Sequence, residues 1–495
     1  MSRWTESPAL RGFSAFLLGA AGVLSFAPFE WFWLAPGLCL GLFLLLRSAA
    51  NARHAFRLGW CFGLGLFLAG VSWVYVSLSI FGGMPWWLAG AATLLFCAFL
   101  ALYPALAGAL FKRWQPIGAF RQALLFGALW MLSDWLRGWL LTGFPWLSLG
   151  YTQAVPSPLA GFAPLLGVYG LTLLTATLGA LLATWRLGVP LLAVAFLSGW
   201  GLQRVEWTQP TGAPVSVALV QGNVPQDMKF QPEYFAQTLA LYRELVEQHP
   251  AQITVLPETA VPAFFDRLPP EFIEELSRLA RRQNGDLLIG VPTSAGNRYW
   301  NSAVSLGTAP TQRYSKSHLV PFGEFIPPGF NWFMRMANIP MSDFSRGGDK
   351  QQPFALSGQR IAANICYEDA FGEEIIQDLP DATILANLSN TAWFGRSLAQ
   401  PQHLQIAQIR ALETGRPMLR ATNTGMTAVI TPEGRISAAL PPFTRGVLTA
   451  NVQGHQGMTP YARYGNGLAL GLALLMTVAA LWNGFAWAKR HRLGH

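Results

Sequence analysis

Two textures divide the chain. Up to about residue 204 the apolar positions run together, and from Val215 onward they come in short bursts separated by polar turns. The long runs fall near 11–28, 30–46, 58–81, 86–111, 122–142, 160–185 and 187–204, and an eighth, about 465–488, follows the polar stretch. Each approaches or exceeds the ~20 residues that carry a helix across the hydrocarbon core. The second and seventh are short and broken by Pro36 and Pro190. Arg3 and Arg11 precede the first run as they would in a signal peptide, but no small-residue cleavage site follows. It therefore reads as a retained helix.

The bursts after Val215 are β-rich: VSVALVQ, ITVLPE, LLIGVP, SAVSLG, IAANIC, TILANLS, MLRATN, TAVIT and VLTAN. Helical spacing alternates with some of them. Residues 233–249 place Phe235, Leu239, Tyr242 and Val246 on one stripe, and 271–283 and 402–413 are expected to behave similarly. Strands alternating with helices predict an α/β domain, large enough at about 250 residues for its own core. The expected organisation is 1–204 as transmembrane helices, 205–464 as an α/β domain, and 465–495 as a last helix with a basic tail.

Charge sharpens this division. Residues 1–204 hold three acids against eleven Lys or Arg, whereas 205–488 hold 22 acids and 20 bases. The basic residues sit in alternate connections: Arg47, Arg53 and Arg57; Lys112, Arg113 and Arg121; Arg186; and Lys489, Arg490 and Arg492. Positive loops stay in the cytoplasm, so both termini are expected inside and residues 205–464 outside. The net charge of +9 lies with the membrane-like part and the tail. That argues against a nucleic-acid partner, which needs a basic stripe on a folded surface. Asp134 and Arg137 share a helical face within an apolar run, either as a structural ion pair or as contacts to a substrate headgroup.

With 52% hydrophobic and 12% charged residues, the composition is too apolar for a purely soluble protein. Of four cysteines, Cys39, Cys61 and Cys97 lie in apolar runs, which gives no disulfide framework. Cys366 is the thiol of the polar region, delivered by IAANI to the end of a predicted buried strand and followed by Tyr367 and Glu368. Alone it reads as a buried structural thiol. A strand-end cysteine becomes a nucleophile when a base and a cation activate it, because the thiolate attacks and a free thiol is mostly protonated near neutrality. Two other strand ends offer such groups: Glu258 in ITVLPET and Lys316 in RYSKSHLVPFGEF. A carboxylate can take the thiol proton, and an ammonium can hold the oxyanion of an attacked carbonyl. His249, His318, His403 and His455 fall in no metal-ligand spacing, so no metal is expected and a zinc hydrolase is disfavoured.

LPET at 256–259, the lysine opening KSHLVPFGEF at 316–325, ICYED at 365–369 and the later RALETGRPMLRATNTGMTAVITPEGR at 410–435 together resemble the nitrilase superfamily of carbon–nitrogen hydrolases. The resemblance implies a Glu–Lys–Cys triad of Glu258, Lys316 and Cys366 on a four-layer αββα sandwich. With the flanking helices, VQGNVPQ and FPWLSLGY, the full length resembles the apolipoprotein N-acyltransferase family.

That resemblance implies about eight transmembrane helices in the bacterial inner membrane and a periplasmic catalytic domain. It implies a ping-pong transfer without cofactors: Cys366 takes an acyl chain as a thioester from a phospholipid, usually phosphatidylethanolamine. The α-amine of a diacylglyceryl-cysteine at the N-terminus of an apolipoprotein then receives it. Glu258 would be general base and acid, Lys316 and the Tyr367 N–H would hold the oxyanion, and Glu324, Tyr367 and Glu368 match supporting residues. The family commonly places a tryptophan after VQGNVPQ; this chain reads DMKF, with Phe230 as the match, which removes an indole donor. Residues 261–265 and 326–341 read either as lipid-touching lid segments or as packed loops, and Trp393 as a pocket wall or core filler. The alternative reading is a membrane-anchored amidase or nitrilase acting on a small amide.

Overall fold

The computed structural model describes residues 7–229, 231–327, 329 and 343–492, with only the backbone for 483–492. The chain forms two compact units. One comprises Met1–Ser72, Gly90–Val205 and Tyr464–His495, the other Trp73–Ala89 and Glu206–Arg463.

The first unit is helical. Its helices are Pro8–Ala21, Leu34–Arg47, Ala52–Val71, Trp86–Leu100 (begun in the other unit), Leu102–Trp114, Ala119–Arg137, Ala163–Leu181, Trp185–Leu202 and Gly467–Arg492. Among the described residues, four helical stretches are long and apolar enough to cross a bilayer: Pro8–Ser25, Ala52–Val71, Trp86–Trp114 and Pro158–Leu202. The last bends through a tight turn at Leu182–Thr184 and so contains two helices. Leu34–Arg47 and Gly467–Trp482 are apolar but shorter. Helix Ala119–Arg137 lies where a fifth span is expected and carries Arg121, Asp134 and Arg137.

Small residues let these helices close on one another, as packing within lipid favours. A Cβ on Gly19 would strike the Phe62 carbonyl, and one on Gly65 would strike that of Phe16, so helices Pro8–Ala21 and Ala52–Val71 meet backbone to backbone. The Asp134–Arg137 pair is buried at 2.9 Å. Arg137 also donates to the carbonyls of Phe144 and Trp146 and to Ser148 Oγ, and Asp134 Oδ2 accepts from the Leu149 N–H. These partners make the pair an anchor of the 144–149 loop.

The second unit is built on twelve strands: β1 Gln209–Gln221, β2 Ile253–Val255, β3 Asp286–Ala295, β4 Arg298–Gly307, β5 Arg313–Ser315, β6 Phe354–Leu356, β7 Gln359–Ile365, β8 Ile384–Ser389, β9 Met418–Thr422, β10 Ala428–Ile430, β11 Ile436–Ala439 and β12 Gly446–Gln456. They form two six-stranded sheets, ordered β12-β1-β2-β3-β4-β5 and β11-β10-β9-β8-β7-β6. The runs β1-β2-β3 and β7-β8-β9 are parallel, with Val217 opposite Ile253 and Ala363 opposite Ala386.

Three apolar layers hold the sheets. Val217, Leu219, Ile253 and Val255 meet Ile361, Ala363, Ile384 and Leu419 between them. Helices Pro232–Gln248 and Pro270–Arg282 cover the outer face of the first sheet through Tyr242, Val246, Phe272 and Leu276. Helix Ala399–Thr414 covers the second through Leu404, Ala407 and Ala411. The four-layer αββα arrangement is thus present.

Two expectations change here. Helix Ala399–Thr414 is not an amphipathic surface helix. Nearly every side chain is buried, including Gln402, His403, Gln405, Arg410 and Glu413, because its polar face packs into a hydrogen-bond network rather than water. The run 58–81 does not continue as one span: the long helix ends at Val71, and Trp73–Ala89 packs with the second unit. There the Trp73 ring lies against Phe394 (centroids 4.5 Å apart) and Phe81 against Trp393 (5.9 Å), while Trp73 Nε1 donates to Gln402 Oε1 at 3.2 Å.

Candidate active site

Parallel strands end in loops at their carboxyl edge, where α/β sheets gather functional groups. Here β2 ends two residues before Pro257–Glu258, β7 runs directly into Cys366, β8 ends at Ser389 before Asn390, and Lys316 follows β5.

Glu258 is buried and held from both sides. Its Oε1 accepts from Asn301 Nδ2 at 2.7 Å and its Oε2 from the Asn390 N–H at 2.8 Å. Lys316, also buried, has its Nζ 3.7 Å from Glu258 Oε1 and 2.8 Å from Glu324 Oε2. Glu324 in turn accepts from the Val320 N–H at 2.8 Å and from Asn301 Nδ2 at 2.9 Å. One amide therefore bridges the two carboxylates that flank the lysine. Burial works against the Lys316 ammonium, but Glu324 and then Glu258 outweigh it and raise its pKa above the ordinary lysine range. Lys316 remains a cation.

Cys366 opens a short turn, Cys366–Ala370, with φ of 54°. A non-glycine residue in the left-handed region is strained, and such strain clusters where a side chain must be presented in one direction. Burial pushes the Cys366 thiol up to about 12, Glu258 adds to the shift, and Lys316 opposes it. The thiol thus lies within the electrostatic reach of both partners and keeps its proton at neutral pH until a base removes it.

Glu368 binds the nucleophile turn to the lysine loop. Its Oε1 accepts from the N–H groups of Ser317 (2.6 Å) and His318 (3.0 Å), and its Oε2 from the Ile365 N–H (2.6 Å) and Tyr314 Oη (2.9 Å). Burial raises it to about 7, with Lys316 and the backbone donors pulling the other way. The Tyr367 ring packs against Phe371 and His318, and His318 pairs with Glu374 at 2.8 Å, so this histidine has a packing role. Trp393 meets Phe81. Phe230 lies outside the described residues, as does most of the 326–341 segment.

Glu258, Lys316 and Glu324 are thus in contact with one another, and the charges of all three act on Cys366. Sequence reasoning missed Asn301, Asn390 and Lys229. Lys229 is buried, donates to the Glu258 carbonyl at 3.3 Å, and is lowered to about 8 by burial, against the raising influence of Glu258. Its only signal was a lysine between the apolar Met228 and Phe230. The two asparagines had none, since amides at strand positions are common. The assembled groups suit acyl chemistry: a base, a fixed cation and a thiol protected from premature ionisation.

Residues 216–459 match the carbon–nitrogen hydrolase family, and residues 18–181 match the apolipoprotein N-acyltransferase N-terminal domain. The chain is 50% identical to an apolipoprotein N-acyltransferase of Nitrosomonas europaea, covering 96% of this chain and 98% of that one. Identity to the protein of the same name is 48% in Ralstonia nicotianae, over 97% and 94% of the two chains, and 46% in Chromobacterium violaceum, over 96% and 94%.

Proposed function

The chain belongs to the apolipoprotein N-acyltransferase family, and from that membership we propose how its own residues carry out the transfer. Glu258 takes the proton of Cys366 as the sulfur bonds to an ester carbonyl carbon of a phospholipid. Lys316 Nζ and the Tyr367 N–H hold the oxyanion. The ester C–O bond then breaks, and the departing alkoxide leaves as lysophospholipid with the proton from Glu258. In the second half, the α-amine of the diacylglyceryl-cysteine attacks the thioester carbon and the C–S bond breaks. The amine proton returns through Glu258 to the sulfur, so the free thiol is regenerated and no water is consumed.

Phosphatidylethanolamine is the proposed donor. The catalytic unit is assigned to the periplasmic side of the inner membrane, both termini to the cytoplasm and about eight helices to the bilayer. The alternation of basic loops supports that arrangement. Exposing one lipid CH₂ to water costs ~0.8 kcal/mol, hence about 12 kcal/mol for a sixteen-carbon chain. Both substrates are therefore confined to the bilayer, as is an enzyme with long apolar helices.

The observation that carries this reading is Lys316 held between Glu258 and Glu324, with Cys366 presented in a strained left-handed conformation at the end of β7. The test is incubation of the purified protein with acyl-labelled phospholipid. A labelled adduct released by neutral hydroxylamine, absent in Cys366→Ala and discharged by a diacylglyceryl peptide, is the expected result. Turnover of soluble amides without any adduct would instead establish a hydrolase.

A further inference from the structure

Beneath the nucleophile turn lies a closed set of buried polar side chains that the proposed mechanism does not use. The Cys366 carbonyl oxygen accepts from Asn387 Nδ2 at 3.0 Å, on β8, and from His403 Nε2 at 3.2 Å, on helix Ala399–Thr414. Asn387 Nδ2 spends its other proton on Asn364 Oδ1 at 2.7 Å. His403 Nε2 also meets Asp369 Oδ1 at 2.7 Å, so two acceptors share this ring nitrogen and it is the one that carries the proton. Arg420, on β9, completes the ring: its Nη1 donates to Asp369 Oδ2 at 3.0 Å and to Asn387 Oδ1 at 2.7 Å. All five side chains are buried. Burial, followed by the charge of Arg420, lowers the pKa of His403, which keeps the imidazole neutral and its tautomer fixed.

A peptide unit is planar and trans, so its carbonyl oxygen and its N–H point in opposite directions. Clamping the oxygen of Cys366 therefore aims the N–H of Tyr367 the other way, away from the clamp. The φ of 54° at Cys366 makes that orientation one the backbone would not keep unaided. Each of the five side chains is hydrogen-bonded to at least one other, and a buried network so linked rigidifies what it holds.

We propose that Asn387 and His403, braced by Asp369 and Arg420, are positioning residues that aim the Tyr367 N–H at the oxyanion formed when Cys366 is acylated. The assignment rests on the acyl-transfer reading above and deepens it. It separates two reactions of the same thiol. Acylation passes through an oxyanion and needs the aimed donor. Alkylation by iodoacetamide displaces iodide at a saturated carbon, forms no oxyanion and does not need it.

The experiment measures both rates in the full-length protein for wild type, His403→Leu, His403→Gln and Asn387→Ala. Losing a single oxyanion donor costs about 100-fold or more, so a misdirected one is expected to slow acyl-adduct formation about 10- to 100-fold at saturating phospholipid, with KM little changed. Iodoacetamide should modify Cys366 in the variants within about twofold of the wild-type rate. His403→Gln keeps an N–H donor and should recover most of the acylation lost in His403→Leu. Should Asn387→Ala fail to fold, the leucine and glutamine pair at 403 still provides the comparison. Wild-type acylation in His403→Leu, or an equal loss of acylation and alkylation, would overturn the inference. A wild type that forms no adduct on Cys366 would overturn the acyl-transfer reading itself, and the inference with it.

Discussion

Cys366 is kept as a thiol by its surroundings. Burial and the Glu258 charge push it up to about 12 despite Lys316, so raising the pH ionises it only far above neutrality. Iodoacetamide modification of the free enzyme should therefore climb steadily from pH 7 to 10 without levelling, and a plateau near pH 7 would contradict the assignment. If Glu258 is the base proposed above, Glu258→Gln should slow acylation by about 100-fold or more, within the range that a positioned base contributes. The proposed triad was legible because each member sits in a short motif at a strand end, and Glu324 and Glu368 were legible in the same motifs. Asn301, Asn387 and Asn390 were not. Their importance comes from where the two sheets bring their amides, and no local pattern in a β-rich run distinguishes a bridging asparagine from an ordinary one. Lys229 became meaningful only once it was found under the Glu258 carbonyl.

At the scale of elements, most strands of the α/β unit followed from their β-rich runs, whereas β6 and β11, short strands at the two edges of the second sheet, did not. The unit's first two helices followed from periodicity, since a half-buried helix must repeat with the geometry of its face. Helix Ala399–Thr414 broke that rule. Glutamines, His403 and the buried Arg410–Glu413 pair at 3.0 Å fill what looked like its solvent face. Residues 73–81 depart from the expected span 58–81 for a related reason: hydropathy cannot tell lipid from a protein surface that is equally apolar. Trp73 is buried against Phe394 and bonded to Gln402, so Trp73→Ala should destabilise the local structure by about 3 kcal/mol. Faster amide hydrogen exchange across 73–89 is the expected readout, with Trp73→Phe closer to wild type because it keeps the ring contact.

For the whole molecule, the distribution of Lys and Arg makes the strongest statement that composition alone allows. If the polar unit is periplasmic, a reporter active only outside the cytoplasm and inserted near Lys350 should be active, while the same reporter fused after His495 should be silent. The reverse pattern would invert the topology and separate Cys366 from its proposed acceptor. The four long apolar stretches are consistent with several crossings, and glycine-lined closures such as Gly19 on Phe62 show how such helices pack without bulky side chains.

The strip Trp73–Ala89 bears on how separable the α/β unit is. An excised 206–463 fragment would carry all the chemistry named above yet leave Phe394 and Trp393 without the aromatic rings that cover them. Such a fragment would offer neighbouring copies an adhesive flank and drift toward clumping. The autonomy suggested by two self-contained sheets is therefore incomplete: this catalyst borrows a small part of its casing from a stretch more than a hundred residues upstream.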